Sequence, residues 1–154
     1  MKNLVIILLF SVFPFDLGKI ARINEAKKQA EEAFSQGKFD IALEKFHFLA
    51  DTLNVQEDGI ILNLAHCYFK LDKKAEAVSY YTKASYSEDK KISSIANQQL
   101  GVLAFNEKKN ESALHFFKES LKDFPENEQA RYNYELVKKI LTKEEENKKE
   151  WRRK

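Results

Sequence analysis

Residues 62–84 read LNLAHCYFKLDKKAEAVSYYTKA, and four of them, Ala65, Phe69, Ala77 and Tyr81, decide the fold. The same order of small residue, aromatic, alanine and aromatic occurs at Ala30, Phe34, Ala42 and Phe46, and again at Gly101, Phe105, Ala113 and Phe117. Every member moves by 35 residues from the first copy to the second and by 36 from the second to the third. A period near 34 marks stacked helical hairpins, each burying its apolar face against its neighbours.

Within each copy the apolar residues fall at helical spacing. In residues 23–56, Ala26, Ala30, Ala33 and Phe34 form one stripe, and Phe39, Ala42, Leu43, Phe46, Leu49 and Ala50 form a second. Ser35-Gln36-Gly37-Lys38 separates them, and Gly37 supplies a permissive backbone at the turn. Residues 58–91 repeat the plan around a turn at Leu71-Asp72-Lys73-Lys74, and residues 94–127 around Glu107-Lys108-Lys109-Asn110. Small residues at Ala30 and Ala42 predict close helix approach, with Phe34, Phe39 and Phe46 filling the gaps between hairpins. Phe124-Pro125-Glu126-Asn127 ends the third copy, because proline cannot continue a helix interior. One further helix follows over 128–141, with Ala130, Tyr134, Val137 and Leu141 on its apolar face. It has no second half and reads as the cap that closes an array.

This pattern resembles the tetratricopeptide repeat. Asn63-Leu64-Ala65, Tyr68-Phe69-Lys70, Ala75-Glu76-Ala77-Val78 and Tyr80-Tyr81 carry the likeness in the second copy, and Gln99-Leu100-Gly101 with Ala113-Leu114 and Phe116-Phe117-Lys118 in the third. The resemblance covers about residues 23–141 and implies an all-α fold: a right-handed superhelical array of three hairpins plus a capping helix. Two features depart from the family pattern. The turn glycine remains only as Gly37 and is replaced by Asp72 and Lys108; the aromatic after it remains only as Phe39 and becomes Lys74 and Asn110. Looser packing is expected at the second and third turns.

A narrower resemblance lies in Phe124-Pro125-Glu126-Asn127-Glu128, Ala130-Arg131-Tyr132-Asn133-Tyr134-Glu135-Leu136 and Lys138-Lys139. It is similar to the last repeat of tetratricopeptide proteins of bacterial aerotolerance (Bat-type) operons. That likeness implies a periplasmic setting beside membrane-anchored von Willebrand A-domain proteins. The start of the chain agrees with export. Lys2 and Asn3 precede an apolar run from Leu4 to Phe13, interrupted by Ser11 and ended by Pro14. A basic start and a short apolar run match a secretory signal over 1–18, and the run is short for a membrane span of about 20 residues. Cleavage is expected between Asp16 and Lys19, although no clear small-x-small site is present. An uncleaved, membrane-anchoring segment or a buried first helix is the alternative. No cysteine stands there for lipid attachment.

In tetratricopeptide arrays the first helix of each repeat lines a concave face. The resemblance therefore assigns the partner-binding groove to Asn24, Lys27 and Glu31, to Leu62, Asn63, His66 and Lys70, and to Ile95, Gln98, Gln99, Val102 and Asn106, extended by Tyr132 and Leu136. Amides, a few charges and apolar groups suit a peptide or helix laid in a groove; plain solvated positions are the alternative. One branch of the family clamps a C-terminal carboxylate. Lys27 and Asn63 match two clamp positions, but Glu31 replaces an amide and Ile95 and Gln99 replace cations, which disfavours such a ligand.

Other functions find little footing. The net charge is +2, so no global field argues for nucleic acid. Four Gly, two Pro and 44% apolar residues favour an ordered chain over a disordered one. Cys67 is the sole cysteine, which leaves no intrachain disulfide and predicts a small buried apolar residue. His47, His66 and His115 fall in three different copies, and His47 and His115 are expected as solvated groups on second helices. No HExxH, phosphate loop or GxSxG motif occurs, so neither catalysis, metal nor cofactor is expected. The tail 142–154 mixes both charges and ends Trp151-Arg152-Arg153-Lys154. It reads as a helix extension, with weak contact to an anionic membrane surface as the alternative use.

Overall fold

The computed structural model describes residues 17–153. The described chain is all α, in the order α1 (Leu17–Ser35), α2 (Phe39–His47), a π-helical turn (Phe48–Thr52), α3 (Asp58–Lys70), α4 (Lys74–Ala84), α5 (Lys90–Asn106), α6 (Asn110–Asp123) and α7 (Glu128–Trp151). Helices α1 and α2, α3 and α4, and α5 and α6 pack as hairpins; α2 meets α3, α4 meets α5, and α6 meets α7. Three hairpins closed by one more helix therefore form, as the period predicts. The apolar run 4–13 lies outside the described residues, whereas Leu17 and Gly18 open α1. The last helix runs past Leu141 to Trp151, so the charged tail continues α7.

The three turns inside hairpins are copies of one another. Each has three residues between helices: 36–38, 71–73 and 107–109. The middle residue is left-handed in each, with φ of 73° at Gly37, 55° at Asp72 and 60° at Lys108. Two hydrogen bonds close each turn. Gly37, Asp72 and Lys108 donate to the carbonyls of Phe34, Phe69 and Phe105, and Lys38, Lys73 and Lys109 to those of Ala33, Tyr68 and Ala104. This is the Schellman closure, which satisfies orphan carbonyls at a helix end. The backbone of the second and third turns is thus as closed as that of the first. The departure is confined to side chains: Phe39 meets Phe34 edge to face at 5.2 Å, and Lys74 and Asn110 offer no ring for the same contact.

The core is a chain of linked apolar clusters, one per seam. Ala26, Ala30, Ala42, Phe46, Leu49, Ile60 and Leu64 join the first hairpin to the second. Ala65, Ala77, Tyr81, Ala84, Ala96 and Leu100 join the second to the third. Ala104, Ala113, Phe117 and Val137 seat α7. Cys67 is fully buried in the first cluster, and burial pushes its thiol up to about 12, which leaves it protonated and inert. The repeat's small position explains itself at Gly101. A Cβ built there would lie 2.5 to 2.9 Å from the Phe117 ring, so the third hairpin brings its ring closer to the facing helix by deleting a methyl group.

The second helix of the first hairpin departs from the simple pattern. The expected continuous helix from Phe39 to Ala50 changes to π geometry at Phe48–Thr52. The π turn takes up an extra residue while Leu49 and Leu53 stay buried.

Candidate functional site

The concave side begins with α1. Asn24 and Glu31 are exposed there. Lys27 is not a free cation: its ammonium lies 2.8 and 2.7 Å from the two carboxylate oxygens of Glu57, the residue before α3. The one lysine that matches a carboxylate clamp is thus neutralised within the chain. Proximity alone could not reveal this, because 30 residues separate the partners.

On α3 the groove assignment is corrected in part. Leu62 is 7% exposed and belongs to the core between the second and third hairpins, so it presents no side chain to a ligand. Asn63 is half-buried and Lys70 exposed, with the Lys70 ammonium 6.0 Å from the Phe39 ring. His66 turns inward. Its Nδ1 shares a 2.7 Å hydrogen bond with the Tyr81 hydroxyl, and its ring meets Tyr81 and Phe34 at 5.4 and 6.4 Å. Burial first, and then the charge of Lys70, lower its pKa to about 4. His66 is a neutral tie between α3 and α4. Burial likewise raises the Tyr81 phenol, so that hydroxyl keeps its proton.

The hollows open at the other end of the array. Ile95, Gln98 and Gln99 of α5 face Phe124, Glu126 and Glu128 across a hollow of about 490 Å³. Gln98 is itself buried and stands behind Gln99 as its hydrogen-bond acceptor at 3.4 Å. Val102 is half-buried and Asn106 exposed further along α5. A second hollow of about 750 Å³ continues along α7 and holds Tyr132 and Leu136. These two are 69% and 38% exposed, apolar groups that a partner would cover. Glu126 and Glu128 border both hollows. The structure therefore gathers five of the expected groove residues at the C-terminal end. Reading the sequence missed Glu126, in the turn before α7, and Glu128, Arg131, Glu135 and Lys139 around them, although the i, i+3 and i+4 spacing of these last four opposite the buried face of α7 was visible.

Behind the groove lies a polar interior. Ser93, Ser94 and Ser120 are buried. Ser120 Oγ donates to the Ser94 carbonyl at 2.8 Å and lies 2.9 Å from Ser94 Oγ. Asn127 Nδ2 donates to Ser94 Oγ at 3.0 Å while its Oδ1 accepts the Ala130 N–H, capping α7. Ser93 Oγ lies 2.6 Å from Asp123 Oδ2, and the Lys90 ammonium 3.0 Å from Oδ1. Burial raises the Asp123 carboxyl, but the Ser93 hydroxyl and Lys90 outweigh it and hold it below its ordinary value.

The convex face corrects one further expectation. His47 is half-buried and doubly bonded rather than simply solvated: Nδ1 lies 2.9 Å from Asp51 Oδ2 and Nε2 lies 2.8 Å from the Tyr68 hydroxyl. Tyr68 stacks on Tyr80 at 5.2 Å, and Lys83 lies 4.7 Å over Tyr80. His115 is exposed beside Phe116. Among the described residues no three His, Cys, Asp or Glu side chains converge on a metal position, and no helix is long and apolar enough to cross a membrane.

This geometry has known counterparts. The tetratricopeptide-repeat family model matches residues 59–90. No curated protein matches the chain in sequence. Among solved structures the chain is similar to the Arabidopsis OM64 TPR domain, with 19% identity, TM-score 0.67, and coverage of 79% of this chain and 98% of that one. It is similar to the Sgt2 TPR domain from Aspergillus fumigatus at 13% identity and TM-score 0.68, covering 81% and 82%. The first TPR of Spaghetti (RPAP3), bound to the HSP90 peptide SRMEEVD, is 25% identical, with TM-score 0.63 and coverage of 79% and 94%. The fold is therefore a tetratricopeptide-repeat solenoid.

Proposed function

We propose that this tetratricopeptide-repeat array is a non-enzymatic scaffold that seats a protein segment in its concave groove, within an exported complex of the cell envelope. The observation that carries the reading is the hollow where Ile95 and Gln99 face Phe124 across α5 and the start of α7. Its apolar floor and amide rim suit a peptide or short helix held by shape and a few hydrogen bonds.

The solved relative that holds an HSP90 peptide supports a peptide-binding role. The ligand differs in kind, however. Lys27 is paired with Glu57, Glu31 adds a negative charge, and Ile95 and Gln99 bring no cation, so the clamp positions themselves offer an acidic C-terminus no free cation. The partner segment is apolar rather than acidic. The signal-like run 4–13 and the Bat-type likeness of residues 124–136 support an envelope setting, with von Willebrand A-domain proteins as partners.

A photo-crosslinker at Gln99, expressed in the native host, tests both parts. A discrete cross-link to an envelope protein with a von Willebrand A domain, lost when Ile95→Glu is added, is the expected result. Many unrelated adducts favour a holder of unfolded or translocating chains instead, and no adduct overturns the groove. The mass of the mature N-terminus tests export: loss of roughly 15–20 residues is expected, and an intact, cytosolic chain sinks the envelope setting.

A further inference from the structure

The outer face of α7 carries six residues whose spacing reads the same from either end and whose charges are complementary across it. Glu128 opens it and Lys139 closes it, Arg131 and Glu135 lie to one side of the line between them, and Tyr132 and Leu136 lie to the other. This face is opposite Ala130 and Val137, which are buried against the last hairpin. Among the described residues, none of the four charged side chains is ion-paired within the chain. Arg131 only donates one N–H to the Pro125 carbonyl. A charged stripe on an ordinary solvated helix is neutralised along its own surface by i, i+4 pairs; this one is left open beside two exposed apolar groups.

The three pairs have centres within one residue of one another. Glu128 and Lys139 are symmetric about position 133.5, Arg131 and Glu135 about 133, and Tyr132 and Leu136 about 134. An antiparallel copy of the same helix, related by a two-fold axis normal to α7 at that level, therefore sets Glu128 against Lys139 at both ends. The axis keeps each flank against itself, so Arg131 meets Glu135 on one side and Tyr132 packs on Leu136 on the other. A self-complementary patch of this kind is what a two-fold interface requires. We propose that α7 pairs with α7 of a second copy, making the protein a two-fold dimer whose interface spans about 16 Å of helix.

A charge swap tests the pairing on the full chain. One variant carries Glu128→Lys and Glu135→Lys, the other Arg131→Glu and Lys139→Glu. All four positions are on the surface, and circular dichroism checks that each variant keeps its helix content. Native protein is expected to sediment as a concentration-dependent dimer. Each variant alone faces like charges and should weaken self-association at least tenfold, while an equimolar mixture of the two should restore a mixed dimer. A native chain that stays monomeric at millimolar concentration, variants that associate as tightly as the native chain, or a mixture that fails to pair would each overturn the proposal. Growth beyond two copies would do so as well, since a two-fold interface closes on itself.

Discussion

The two ends of the array share an apolar core but reinforce it with different chemistry. In the first two hairpins and across the seam between them, rings do the work: Phe34 on Phe39 and His66 on Tyr81 within the hairpins, His47 on Tyr68 and Tyr80 and Phe34 on His66 between them. In the third hairpin and at its junction with α7, buried hydroxyls and one amide add to the apolar cluster: Ser93 and Ser94 of α5 bond Asp123 and Ser120 of α6, and Asn127 at the cap of α7 bonds Ser94. Rings gain from removal of apolar area and tolerate small shifts. Hydroxyls gain little net, yet each is costly if its partner is lost. The repeat thus fixes where helices meet but not the means of sealing them, and the two ends should fail in different ways.

The sharpest break is expected at Tyr81. Replacing it with alanine removes a fully buried ring and should cost about 3–5 kcal/mol, read as a fall in the urea midpoint. Acid separates the ends next. His66 has a folded pKa of about 4 against 6.5 unfolded, so the unfolded chain takes the proton first. Its stability contribution is intact above pH 6.5 and falls as pH drops to 4, by about 3 kcal/mol. Asp123, held below its ordinary value, contributes above that value and loses its share only at lower pH. Hydrogen exchange from pH 7 to 4 should therefore show α3 and α4 loosening before α5 to α7, and His66→Gln should flatten the slope; simultaneous loosening would erase the distinction.

Smaller changes sharpen the contrast. Ser120→Ala strips the buried serine pair of one member and should cost about 1–3 kcal/mol, with Ser94→Ala far from additive to it in a double-mutant cycle. Gly101→Ala gains about 1 kcal/mol of helix propensity but drives a methyl into Phe117, an overpacking cost of about 1–3 kcal/mol. A net loss in thermal midpoint is expected because Phe117 is buried on all sides. Lys108→Gly should stabilise by about 0.5–1 kcal/mol, since only the glycine adopts positive φ without strain; no gain would mean that the Lys108 side chain offsets its backbone.

The hairpins, their turns and the small-aromatic spacing were legible because they repeat, and repetition averages out local accident. What was not legible lies between repeats. Ser94 and Ser120 look like surface residues until α7 and Asn127 cover them. Lys27 looks like a ligand cation until Glu57 arrives from the next hairpin. Leu62 sits at a groove position by phase, yet the third hairpin leans over it. The left-handed turns at Asp72 and Lys108 were hidden for another reason. Two backbone bonds hold that conformation whatever the residue, so the loss of glycine removed the signal without removing the structure.

The constant three-residue turns and the variable joints after α2, α4 and α6 divide this chain into stiff words and elastic spaces. The π turn absorbs an extra residue with no change of phase in the next hairpin, so length variation is tolerated at these joints and nowhere inside a hairpin. They are the places to splice: a hairpin inserted after Leu53, Ser87 or Phe124 would enter the stack in frame, whereas one residue added at Gly37, Asp72 or Lys108 would break the turn and misplace the helix that follows it.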